Sequence, residues 1–172
     1  MSDPATVPPC AQHVIVGVGD MAVSENVQAV LSTYALGSCI GLIAYDPVAR
    51  AGGILHLMLP DSSIAPDKAA AHPAMFADTG LPHFFRLLSS VHSRPANLQL
   101  FVAGGANVIL GHDPFRIGER NMRATVDYLA RNGYMLKQAQ IGGSINRTVH
   151  LELATGLVTV KTSSYEERLS LA

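Results

Sequence analysis

Cys39 and His56 are the two residues whose types and spacing could do chemistry together. Cys39 follows Leu36-Gly37-Ser38 and opens the apolar run Cys39–Tyr45 (CIGLIAY). His56 lies inside a second apolar run, Ile54–Leu59 (ILHLML), stopped by Pro60. A thiolate is a strong nucleophile, but a free thiol is mostly protonated at neutral pH and needs a base beside it. Imidazole is the side chain best suited to that task. Gly37 suggests a tight turn just before a strand, which would present the sulfur of Cys39 at a sheet edge. The backbone N–H groups freed around Gly37 and Ser38 could then stabilise an oxyanion. Thr33 stands upstream with a hydroxyl able to orient the second ring nitrogen. Taken singly, a cysteine or histidine in an apolar strand is most simply a packing residue. The pairing points to a cysteine hydrolase and goes no further.

The elements that must hold the pair follow from local pattern. The two apolar runs, with Asp46-Pro47 and Ala51-Gly52-Gly53 between them, read as a hairpin with a moderately long loop over Asp46–Gly52. Upstream, His13–Gly19 and Met21–Val23 read as short strands, and Gln28–Tyr34 as a third. Asp61–His72 reads as a loop. Helical spacing of Leu81, Phe84, Phe85, Leu88 and Val91 predicts a helix from about Met75 to His92, with Pro82 near its start. Asn97–Ala103 is a strand running into Gly104-Gly105. Ile117–Arg131 is a second helix, with Met122, Val126 and Leu129 as its apolar stripe and Gly133 just past its end. Tyr134–Ile141, Val149–Leu153 and Leu157–Thr162 complete the strands, and the last residues look frayed. The diglycines 104-105 and 142-143 are read as turn or bulge devices.

Composition bounds the function. The chain has 172 residues, 48% of them hydrophobic, and a formal net charge of −1. That suits one domain with a sizeable core and gives no electrostatic footprint for nucleic acid or a membrane surface. No stretch reads as a membrane span or a signal peptide, so the expected compartment is the cytoplasm. Two cysteines, Cys10 and Cys39, make no disulfide framework. No metal site or organic cofactor is expected, because no His-Glu-x-x-His, paired-cysteine or phosphate-loop pattern is present. The domain reading is a flexible leader over residues 1–12, one catalytic domain over 13–165, and a tail over 166–172.

Leu36-Gly37-Ser38-Cys39 with Tyr45-Asp46 resembles the nucleophile motif of the chemoreceptor glutamine deamidase (CheD) family. Gly52-Gly53-x-x-His56-x-Met58-Leu59-Pro60 resembles its histidine motif. Phe76–Thr79, Gly104-Gly105-Ala106, Ile117–Asn121, and Gly142-Gly143 with Arg147 and Val149 resemble its downstream motifs. Ala35 stands where the family often carries glycine, and Asp61–His72 and Val108–Pro114 depart from its pattern. The resemblance implies an α+β fold, mixed β-sheets packed as a sandwich with flanking helices, akin to toxins that deamidate glutamine. It implies a triad of Cys39, His56 and Thr33, with Ser38 and Gly37 as backbone support. The implied reaction is hydrolysis of glutamine side-chain amides in the cytoplasmic regions of methyl-accepting chemoreceptors, in chemotaxis adaptation. It also implies a CheC-type phosphatase as partner. The rival readings are an idle regulatory module that docks on such a phosphatase or receptor, and another cysteine hydrolase, either a small-molecule amidase or a deamidase of another protein.

Overall fold

Hydrophobic alternation along the strands is resolved into two five-stranded sheets stacked face to face. The structure, a computed structural model, describes residues 11–109 and 113–172. Cys10, the leader up to residue 10, and Leu110, Gly111 and His112 lie outside the described residues.

The first sheet contains β1 (Gln12–Ile15), β3 (Ala29–Leu36), β8 (Arg147–Glu152), β9 (Leu157–Lys161) and β10 (Glu166–Ser170), in the order β1-β3-β8-β9-β10. The second contains β2 (Asp20–Ser24), β5 (Ala51–Leu57), β4 (Ile40–Asp46), β6 (Gln99–Gly104) and β7 (Leu136–Ile141), in that spatial order. The β1–β3 and β6–β7 pairs are parallel and the others antiparallel.

One core fills the space between the sheets. Leu31, Val149, Leu151, Val158 and Val160 of the first sheet meet Ile43, Tyr45, Ile54 and Phe101 of the second. A second core lies on the far side of the second sheet. There Ile40, Leu42, Leu55, Leu57, Leu100 and Val102 pack on α2 (Ala77–Ser90) and α3 (Ile117–Arg131). This is why β4 and β5 are buried along their whole length and read as continuous apolar runs. The architecture is an α+β sandwich, as the motifs implied, with both long helices on one side.

Several local expectations change. Asp61–His72 is not a plain loop. Asp61 caps a turn over Ser62–Ile64 through Ser63 N–H, and α1 (Pro66–Ala71) follows with Pro66 at its first turn. Gly52 and Gly53 lie inside β5 rather than in a turn. A Cβ at Gly52 would come within 2.4 Å of the Ala44 carbonyl, and one at Gly53 within 2.6 Å of the Ala22 carbonyl. Their role is close backbone approach. The β4–β5 loop is accordingly shorter than expected and is tied by Asp46. Its carboxylate accepts from Val48 N, Ala49 N, Arg94 N and Asn97 Nδ2. Gln12 belongs to β1, and Glu166–Ser170 form edge strand β10, where a frayed end was expected. Buried Leu171, with its N–H on the Gly156 carbonyl, anchors that strand.

Candidate active site

His56 sits one residue before the end of β5, opposite Gly41 of β4 on one side and Asp20 of β2 on the other. It shares the parity of Ile54, so its ring points into the space between the sheets. Thr33 shares the parity of Leu31 on β3, in the facing sheet, and points into the same space. Both side chains are fully buried. They meet there: Thr33 Oγ1 lies 2.7 Å from His56 Nδ1 and 2.8 Å from the Val16 carbonyl oxygen.

Those two contacts decide a tautomer. A hydroxyl has a single proton. The Val16 carbonyl can only accept, so Thr33 donates to it. Thr33 must then accept from His56, which requires the proton on Nδ1. Nε2 is left with a free lone pair, and it has no hydrogen-bond partner among the described residues. An orphaned buried acceptor is uncommon in folded proteins, and here it is the nitrogen a general base would use. Gly19 N–H holds the His56 carbonyl at 2.8 Å and so fixes the backbone behind the ring.

Cys39 immediately precedes β4, two residues before Gly41 along the same extended run. It packs against the inter-sheet core, the side on which His56 meets Thr33. A cross-strand diagonal of this type separates Cα atoms by roughly 7–8 Å, within reach of a long side chain. The thiol is half-buried while the imidazole is sealed from solvent.

The backbone around Cys39 is held at alternate carbonyls. Ala106 N donates to Gly37 O and Gly105 N to Cys39 O, each at 2.8 Å. Gly104 makes this possible. Its φ is 109°, and a Cβ there would sit 2.1 Å from the Cys39 carbonyl oxygen. The first diglycine is therefore a seat for the backbone of Cys39. The N–H groups of Ser38 and Cys39 donate to no backbone carbonyl among the described residues, whereas Gly37 N–H is committed to Ala35 O at 2.9 Å. Gly37 fits only as a small residue, because a Cβ there would approach Asn146 Oδ1 to 2.8 Å. The left-handed residue of this turn is Ala35, with φ 56°, where β3 breaks register with β8 between Thr33 and Leu36.

Burial sets the electrostatics. Desolvation pushes His56 down from 6.5 to about 4. It pushes the Cys39 thiol up, with its own backbone N–H opposing. The resting pair is therefore thiol and neutral imidazole, not an ion pair. Among the described residues no three His, Cys, Asp or Glu side chains gather as a metal-binding group, and no helix is long and apolar enough to cross a membrane.

The sequence comparisons converge on one family. Residues 58–162 match the description "CheD chemotactic sensory transduction". The chain is 45% identical over 150 residues to a "Probable chemoreceptor glutamine deamidase CheD 1" of Syntrophus aciditrophicus, covering 87% of this chain and 94% of that protein. This chain belongs to the CheD family. A CheD protein of Solibacter usitatus is 42% identical over 92% of this chain and 94% of its own length, and one of the archaeon Pyrococcus abyssi 34% over 87% and 91%. The family match begins just after His56. An aligned stretch of 150 residues within 172 nevertheless necessarily includes the segment from Thr33 to His56 in this CheD chain. Reading the sequence missed Val16, whose part is played by a carbonyl and leaves no side-chain signal. It also missed Asn121, which was visible only as the last residue of a quoted motif.

Proposed function

We propose that this protein deamidates glutamine side chains in the cytoplasmic regions of chemoreceptors, with Cys39 as nucleophile, His56 as general base and acid, and Thr33 as the group that orients the ring. The observation that carries the reading is the hydrogen-bond chain from Val16 O through Thr33 to His56 Nδ1, which leaves Nε2 as an unpaired acceptor. The names of the relatives supply the substrate class.

The reaction follows from the resting protonation states. His56 Nε2 takes the Cys39 proton as the sulfur attacks the glutamine Cδ, so thiolate forms only as it is used. The negative oxygen of the tetrahedral species is held by the N–H groups of Ser38 and Cys39. His56 returns the proton to the departing nitrogen. Ammonia leaves and a thioester remains. Water, deprotonated by His56, attacks the thioester and releases glutamate and the free thiol. The product carboxylate adds a negative charge to the receptor's helical surface, the kind of local change that shifts a signalling equilibrium.

The reading assigns the protein to the cytosol, where its substrate regions lie, and keeps a CheC-type phosphatase as a proposed partner. The test is direct. Receptor cytoplasmic fragments incubated with wild-type protein should show amide-to-acid conversion at glutamines by peptide mass spectrometry. Cys39→Ala should abolish it. Undiminished conversion by Cys39→Ala would remove sulfur from the mechanism.

A further inference from the structure

We infer that Asn121 is a positioning residue that locks the nucleophile's peptide to the strand carrying the base. The inference rests on the triad proposed above.

The β4–β5 ladder has its last matched pair at Ile40 and Leu57. The next pair would be Cys39 and Met58, but Met58 N–H turns away to the Met75 carbonyl, 2.9 Å distant. The two strands therefore lose their direct connection at the point where the chemistry sits. Asn121 bridges the gap. Its carboxamide nitrogen donates to Ser38 O and to Met58 O, each at 2.9 Å. Met58 lies two residues beyond His56, and Ser38 one before Cys39. A single planar group thus fixes the spacing of the two segments.

The bond to Ser38 O has a second effect. That carbonyl and the Cys39 N–H belong to one peptide group. Accepting a hydrogen bond at the oxygen polarises the peptide and makes its N–H a stronger donor. This is an N–H assigned above to the developing oxyanion.

Helix α3 is built to deliver this side chain. Gly118 lies three residues before Asn121, on the same helix face. A Cβ on Gly118 would come within 2.7 Å of both the Gly105 and Ala106 carbonyls, so the helix backbone rests directly on the residues that hold Cys39 O and Gly37 O. Asn121 is fully buried and its Oδ1 has no partner among the described residues. An apolar side chain would avoid that unpaired acceptor. Packing alone therefore does not account for a carboxamide here.

The test compares the full chain with Asn121→Ala and with Thr125→Ala. Thr125→Ala removes a buried hydroxyl one turn further along α3, which bonds only the Asn121 carbonyl. With a receptor fragment as substrate, Asn121→Ala should lower kcat ten- to a hundredfold and leave KM within twofold, and Thr125→Ala should keep kcat within threefold. Selective 15N-cysteine labelling in a Cys10→Ser background reads the clamp without substrate. The Cys39 amide nitrogen should move upfield in Asn121→Ala and stay in place in Thr125→Ala. A wild-type kcat or an unmoved Cys39 resonance in Asn121→Ala overturns the inference, as does an equal loss in Thr125→Ala. If Asn121→Ala does not fold, Asn121→Ser, too short to span both carbonyls, takes its place in both measurements. If the wild-type protein deamidates no receptor fragment, the proposed function fails and the amide resonance alone decides the role of Asn121.

Discussion

Replacing Thr33 by valine removes one hydroxyl and keeps the side chain's shape. That hydroxyl makes two bonds, 2.8 Å to Val16 O and 2.7 Å to His56 Nδ1, in a place with no solvent. Valine leaves a carbonyl and a ring N–H unpaired, each at a cost of about 1–3 kcal/mol, so Thr33→Val should destabilise the fold by roughly 2–6 kcal/mol. The rate effect is separate. Without its anchor the imidazole is free to carry its proton on Nε2, where it cannot accept one from the thiol. A lost bond worth about 1–1.5 kcal/mol shifts that balance about tenfold. The expected kcat is therefore lower by about tenfold or more. Thr33→Ser keeps the hydroxyl and should recover most of the loss. Urea denaturation gives the stability and mass spectrometry of receptor fragments gives the rate, with 15N shifts of the histidine ring reporting the tautomer directly. The reasoning fails if Thr33→Val keeps kcat within threefold of wild type, or if Thr33→Ser is impaired as severely as Thr33→Val.

Three further outcomes are expected. With His56 at about 4 when folded and 6.5 ordinarily, kcat/KM should hold as pH falls through 6.5 and decline only near 4. Between those values the unfolded chain binds the proton and the folded one does not. Stability should therefore fall as pH drops through this window, by about 3 kcal/mol in all, and urea midpoints that do not change from pH 7 to pH 4.5 would contradict it. Ala35, exposed and at φ 56°, occupies a conformation that disfavours a Cβ by about 1–2 kcal/mol. Ala35→Gly should raise the urea midpoint, and a lower midpoint would count against strain at that turn. Gly104→Ala, whose added Cβ meets the Cys39 carbonyl, should destabilise the protein by more than about 3 kcal/mol. Wild-type stability in that variant would mean the backbone approach is not needed.

What was legible in the sequence follows from how each feature is encoded. Helix α3 was read at its observed limits, and Gly133, at φ 73°, lies just past its end, but of the expected stripe Met122, Val126 and Leu129 only Leu129 is fully buried, since Gly118, Asn121 and Thr125 face inward with it. β4 and β5 were legible because burial on both faces leaves continuous apolar runs. β10 was not, since an edge strand reading EERLS carries charges along most of its length. Glycines misled in two directions. Gly52-Gly53 looked like a turn but serve a strand against neighbouring carbonyls, and Gly37 marked the turn before β4 although the left-handed residue there is Ala35. The placing of His56 on the strand paired with the one that Cys39 leads into could be read because a hairpin is local. Thr33 was named as able to orient the ring, but a threonine in a strand carries little signal by itself, and its partner lies in the other sheet. Asn121 could not be read, because its partners are backbone carbonyls far away in sequence.

The proposed triad is divided between the layers, which has a consequence for how activity arises and is lost. One sheet supplies the hydroxyl, and the other supplies the sulfur and the ring. With that triad as the centre, neither layer works by itself. A nascent chain remains inert until its two halves dock, and any sliding of one layer over the other silences it before either layer melts. Turnover is thus a sensitive gauge of sandwich registry, and mild denaturant should extinguish it earlier than it erases the strand signal in circular dichroism.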